Sequence, residues 1–292
     1  RGLAFCGLGA ALIAALSAVY LGVVIERSRL GRVDALLGAQ LDEVEVLALG
    51  DSHSLNGFDP TRFAARRAFN FSTGGESYLQ TYYKLKALLA LNPARLRAVV
   101  LPFDLHSFSA YRAGRFEYPG YWARYVDFAD LGRQTGDPLG ALRHQLHAVA
   151  VPFLGDVEAF WGAFRNALKD QIGPTIVAGH YPRAEDFSRR PDRAQRAQAR
   201  ARSHLMGHDP FDPVLAAYFE RIVALCRQRA LTLVLVRYPV TRAYHAQAAR
   251  LVDEAALDAR AAALLADAGE VFVLDHRARW FDREELFADP DH

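Results

Sequence analysis

Hydropathy changes character along this 292-residue chain. From Gly2 to Ile25 there is no charged residue, and Leu, Ala, Val and Ile dominate. At about 1.5 Å per helical residue, such a run crosses a hydrocarbon core of about 30 Å. It predicts one transmembrane helix and is longer than the apolar region of a cleaved signal peptide. Residues 1–26 are therefore assigned to an anchor and 27–43 to a juxtamembrane linker or short helix. From Val44 onward, short apolar runs alternate with longer amphipathic ones. Val44 to Leu49, Ala68 to Phe71, Ala98 to Leu101, Leu231 to Val236 and Val271 to Leu274 read as buried strands. Helices are expected from about Tyr78 to Leu91, where Asn92 and Pro93 stop the chain, from about Pro213 to Arg229, and from about Ala246 to Ala268. That alternation predicts an α/β domain with a parallel sheet over 44–292. Between about 111 and 205 the pattern loosens into aromatic-rich and Arg-rich segments, read as a helical insertion after the third strand.

Composition narrows the function classes. An apolar content of 51% with 23% charged residues is that of a folded protein. A formal net charge of +2 argues against a nucleic-acid partner, because no concentrated basic face is implied. The two cysteines, Cys6 in the apolar run and Cys226 in a helical segment, make neither a disulfide nor a thiolate metal site. The residues call for no metal and no cofactor. By the positive-inside rule, Arg27, Arg29 and Arg32 after the span outweigh Arg1 before it, which taken alone places the downstream part in the cytoplasm.

Candidate chemistry gathers at the two ends of the soluble part. A nucleophilic serine needs a tight, exposed strand-to-helix turn, a base, and a group to orient that base. Ser52 follows an apolar strand and Gly50; Asp289 and His292 stand close together after the last strand. Gly50, Asp51, Ser52 and His53 resemble the first block of the SGNH (GDSL-type) hydrolases, and Asp289 to His292 resembles their terminal Asp-x-x-His block.

The resemblance implies a three-layer, flavodoxin-like parallel sheet. It implies Ser52 as nucleophile, His292 as base and Asp289 as orienting carboxylate, with no cofactor. Backbone N–H groups of Ser52 and Gly75 (or Gly74) are the expected oxyanion donors. The family's third block normally supplies an asparagine in Gly-x-Asn-Asp; here the corresponding loop reads Pro102, Phe103, Asp104, Leu105, His106. Asn70 is the substitute donor considered, and His53, Asp104 and His106 are candidate substrate contacts. With an anchor before the domain, the chain is similar to membrane-bound SGNH-like proteins that acylate cell-envelope polysaccharides, among them alginate acetylation and teichoic-acid D-alanylation proteins. That likeness implies a single-pass protein of the bacterial inner membrane with a periplasmic domain, opposite to the charge rule. It also implies an acylated glycan as substrate and a membrane-bound O-acyltransferase as partner.

Two other classes compete. Asp51, His53, Asp289 and His292 are a possible ligand set for a metal-dependent phosphoesterase. A noncatalytic glycan-binding scaffold is the second, with Tyr111, Phe116, Tyr118, Tyr121, Trp122 and Tyr125 as stacking surfaces, although packing is the commoner use of such clusters. His180, His204 and His208 are assigned surface or structural roles, and the run Arg189 to Arg202 a solvated helix face.

Overall fold

A computed structural model describes residues 2–63, 65–113, 119–149, 176–180 and 186–292. The chain forms two compact units, one of residues 1–39 with 115–175, the other of 40–114 with 176–292. Phe116 and Tyr118 lie outside the described residues.

In the first unit, helix α1 (Gly2–Val19) continues as a π-helical segment, Tyr20–Ile25, and α2 spans Arg29–Gln40. A stretch of mean hydropathy 2.0, Phe5–Val23, is long and apolar enough to cross a membrane. Only 11% of it is buried, with Phe5, Leu8 and Leu12 more than half exposed, as lipid-facing side chains would be. Helices α5 (Pro119–Trp122), α6 (Phe128–Thr135) and α7 (Pro138–Val149) follow among the described residues of this unit. Tyr121 and Trp122 are buried, and the Tyr121 hydroxyl donates to Asp34 at 3.1 Å. Both rings are therefore packing groups, which removes them from the proposed glycan surface.

The second unit carries a five-stranded parallel sheet: β1 (Val46–Ala48), β2 (Ala68–Asn70), β3 (Ala98–Pro102), β4 (Thr232–Arg237) and β5 (Val271–Asp275), in the order β2-β1-β3-β4-β5. The strands alternate between two buried faces. Leu47, Val99, Leu101, Leu233 and Leu235 lie on one; Ala48, Val100, Val236, Phe58 and Tyr238 cluster on the other. Each large side chain so buried contributes about 1.5–3 kcal/mol. Helix α4 (Tyr78–Ala90) starts with a capping box between Ser77 and Gln80, and it packs on α9 (Pro213–Gln228), where the Tyr83 and Tyr218 hydroxyls meet at 3.2 Å. The order of strands reverses between β1 and β3, and open α/β sheets form their sites at the carboxyl ends of strands at such a point.

Two expectations need correction. The helix read over Ala246 to Ala268 is two helices, α10 (Arg242–Ala248) and α11 (Glu254–Ala263). Thr241 and Asp253 each cap a fresh N-terminus, Asp253 by accepting from Ala256 N–H at 3.0 Å. β5 is an edge strand rather than a buried one, with Phe272, Val273 and Leu274 about half exposed.

Candidate active site

The site is built from three segments of the second unit: the turn after β1, the loop after β3, and the terminal loop. Gly50 ends β1 with φ 114°, and a Cβ there would lie 2.3 Å from Pro102 Cδ. Only glycine fits that conformation against β3. Asp51 then caps helix α3 (Ser52–Gly57) by accepting from His53 N–H at 2.9 Å. The turn directs Asp51 and His53 inward, both nearly fully buried, and leaves Ser52 partly exposed. That is the presentation a nucleophile requires.

Beneath Ser52 lies a buried polar layer. His53 Nδ1 is 2.8 Å from Asp104, whose other oxygen accepts from Tyr238 N–H at 2.8 Å. His53 Nε2 faces Asp291 at 3.4 Å. Burial disfavours the His53 cation, but the charge and hydrogen bond of Asp104, joined by Asp291, outweigh it and raise the imidazole well above its ordinary range. His53 is thus an imidazolium donating to two carboxylates. Beside it, Asp51 accepts from His106 Nε2 at 3.0 Å and from Arg112 at 3.2 Å. Burial opposes ionisation of Asp51; those partners prevail and hold it below the usual carboxylate range. His106 is lowered by burial and then by the neighbouring His53 charge, so it serves as a neutral donor.

These facts revise three assignments. His53, Asp104 and His106 were expected to touch substrate, yet each is at most 6% exposed and committed to an internal partner. They support the turn from behind. Asp104, whose charge would oppose an oxyanion, is instead neutralised by His53.

The terminal loop is held by Thr241, whose N–H and Oγ1 both donate to Pro290 O at 3.0 and 2.9 Å. His292 Nδ1 meets both oxygens of Asp289, at 2.7 and 2.8 Å. A carboxylate only accepts, so Nδ1 carries a hydrogen, and in the neutral ring the lone pair is on Nε2. Nε2 is buried with no hydrogen-bond partner among the described residues, Ser52 included. The two loops meet through the His53 and His292 rings, 5.0 Å apart and perpendicular.

Asp291, between Pro290 and His292, is almost fully buried. It faces His53, pairs with Arg200 Nε at 3.1 Å, and has His204 Nε2 at 3.9 Å. Arg200 and His204 come from helix α8 (Arg193–Leu205). This helix, read as a solvated face, buries Ala197, Ala201 and Leu205 in a cluster with Val240, Tyr244 and Ala248. Arg193, Arg196 and Arg202 are exposed while Arg200 is partly buried against Asp291, so the helix is solvated on one side only. His204 is structural, with Nδ1 on the Tyr244 hydroxyl at 2.8 Å.

Gly75 sits in the turn after β2 with φ 77°. The loop bearing it is fixed by buried Lys84, which donates to Phe71 O at 2.6 Å, Thr73 Oγ1 at 2.9 Å and Glu76 at 2.9 Å. Thr73 N–H in turn donates to Gly50 O at 2.8 Å, tying this loop to the Ser52 turn. Asn70 does not fill the oxyanion role. Its amide donates to Ser54 O, Leu55 O and Phe58 O, and its carbonyl accepts from Ser72 N–H, so it braces α3 from below.

The four-residue metal set named from sequence does not assemble. Asp51 turns to His106 and Arg112, and Asp289 is taken up by His292. One donor atom each of His53, Asp291 and His292 does converge, all within 4.8 Å of one another. A cleft of 390 Å³, lined in part by Arg196, Arg200, Ser203, Ala288, Asp289 and Pro290, opens beside the terminal loop. Arg112, Arg200, His204 and Asp291 were missed as site residues. Only Asp291 carried a local signal, its place inside the terminal block. Comparison with known protein families and with curated proteins finds no match.

Proposed function

We propose that the second unit is an SGNH-type, flavodoxin-like acyl-transfer domain in which Ser52, His292 and Asp289 act as nucleophile, base and orienting group. The observation that carries this reading is the bidentate grip of Asp289 on His292 Nδ1, which leaves a buried Nε2 with a lone pair beside the turn that presents Ser52. Ser52 Oγ attacks the carbonyl carbon of an acyl ester as Nε2 takes its proton. The backbone N–H groups of Ser52 and Gly75 receive the oxyanion. Collapse expels the alkoxide, which recovers the proton from His292 and leaves an acyl-Ser52. Water or a sugar hydroxyl then attacks by the reverse route.

The apolar N-terminal helix supports a membrane tether; its placement in the bacterial inner membrane with an extracytoplasmic domain rests on the resemblance. The arginine-lined cleft beside Asp289 suits a polymeric envelope glycan, with O-acetylation or deacetylation as the reaction and a membrane-bound O-acyltransferase as its acyl source. Hydrolysis of p-nitrophenyl acetate by the full chain in detergent, with and without oligosaccharide acceptors, tests the reading. Turnover lost in Ser52→Ala and in His292→Ala supports it, and acetylated acceptor selects transferase over esterase. Turnover unchanged in Ser52→Ala refutes it.

A further inference from the structure

Besides holding the base, the terminal loop brings two imidazoles and a carboxylate together. We propose that His53 and His292, each through Nε2, together with Asp291 form a binding site for a divalent transition metal of the zinc class.

Three observations carry the proposal. The first is convergence: the three residues offer donor atoms within 4.8 Å of one another, and His53 Nε2 to Asp291 Oδ2 is 3.4 Å. Metal–ligand bonds of about 2.0–2.2 Å in a tetrahedron separate ligand atoms by about 3.3–3.5 Å. The His53–Asp291 edge already has that length, and the His292 ring, whose Nδ1 lies 3.8 Å from Asp291 Oδ1, has to move inward to bring Nε2 into the triangle. The fourth position then stays open to water.

The second is orientation. Both imidazoles have Nδ1 held by a carboxylate, His53 by Asp104 at 2.8 Å and His292 by Asp289 at 2.7 Å. That is the arrangement in which metal-bound histidines are kept, with Nδ1–H fixed and Nε2 directed to the ion. His292 Nε2, on a side chain 94% buried, has no hydrogen-bond partner among the described residues. A buried acceptor without a partner is costly, and a cation there would satisfy it.

The third is charge. The carboxylates of Asp51, Asp104, Asp289 and Asp291 outnumber the guanidinium groups of Arg112 and Arg200 by two. The His53 imidazolium offsets one of those two charges, and a divalent cation that displaces its Nε2 proton to solvent balances the cluster. Arg200 approaches Asp291 through Oδ1 and leaves Oδ2 facing His53. Two nitrogens and one oxygen with an open position suit zinc better than calcium or magnesium, which prefer oxygen throughout.

If the serine reading holds, on which this consequence alone rests, bound zinc occupies the lone pair that would deprotonate Ser52, and zinc is a chelator-reversible inhibitor of turnover. Isothermal titration of chelator-treated full chain in detergent with zinc chloride tests the site without reference to turnover, so a chain lacking esterase activity still decides the matter. One equivalent should bind to wild type and to Ser52→Ala alike. Binding should be lost in His53→Gln, Asp291→Asn and His292→Gln, and weakened about 10–100-fold in Asp289→Asn, which only orients a ligand. Cobalt(II) on wild type should give the intense visible absorption of a tetrahedral ion, a readout that needs no variant to fold. No zinc binding by wild type, or binding retained in all three ligand variants, overturns the proposal.

Discussion

Asp289 receives Nδ1 of His292 with both carboxylate oxygens, at 2.7 and 2.8 Å, across a turn in which only Pro290 and Asp291 stand between them. This contact selects the tautomer with a lone pair on Nε2. Asp289→Asn should leave the fold intact, since Asp289 is partly exposed. An amide can donate to Nδ1 and favour the wrong tautomer, so kcat on p-nitrophenyl acetate should fall by about 10²–10⁴-fold. Steady-state kinetics check this, with circular dichroism confirming that the fold is kept.

Asp104 stands where the proposed family likeness leads one to expect an asparagine, and its contacts here are internal. It pairs with His53 and accepts from Tyr238 N–H, and both His53 and Asp104 are buried. Asp104→Ala strands both donors and should destabilise the domain by about 3–5 kcal/mol. Asp104→Asn keeps an acceptor for Tyr238 and should cost less. Urea unfolding of both variants measures the difference; equal and negligible losses would contradict the buried network.

The strands and their parallel order were legible because apolar runs of four to six residues alternate with amphipathic stretches. The pairing of Asp289 with His292 and the place of Ser52 on the turn after β1 were legible because two short blocks stand at the ends of that pattern. What lay between was not. Asp51 and His53 read as candidate ligands or substrate contacts, but the φ of 114° at Gly50 and the capping of α3 turn both inward, a backbone property no side-chain pattern records. Asn70 looked like a spare donor until its amide was found spent on three carbonyls. Arg200 and His204 lie 85 or more positions from Asp291 in sequence. They reach it only because Ala197, Ala201 and Leu205 seat one side of α8 against α10. Periodicity marks a helix as amphipathic without naming what its buried face meets.

Cys226 gives an independent check on the core around α9. It is fully buried, and burial pushes its thiol up to about 12. The thiolate fraction is therefore negligible even at pH 9, where an ordinary cysteine of pKa about 8.5 is mostly ionised. Native protein should leave this thiol unmodified by iodoacetamide at that pH, and denaturant should expose it. Peptide mapping by mass spectrometry reads the site, and rapid native labelling of Cys226 would contradict the packing.

The central claim is that Ser52 is a nucleophile activated by His292. It is tested most directly by a fluorophosphonate probe on the full chain in detergent, with intact mass and peptide mapping to locate the adduct. A single adduct on Ser52, absent in Ser52→Ala and strongly slowed in His292→Ala, is the expected result. No adduct, or one that persists at another residue in Ser52→Ala, would contradict the assignment.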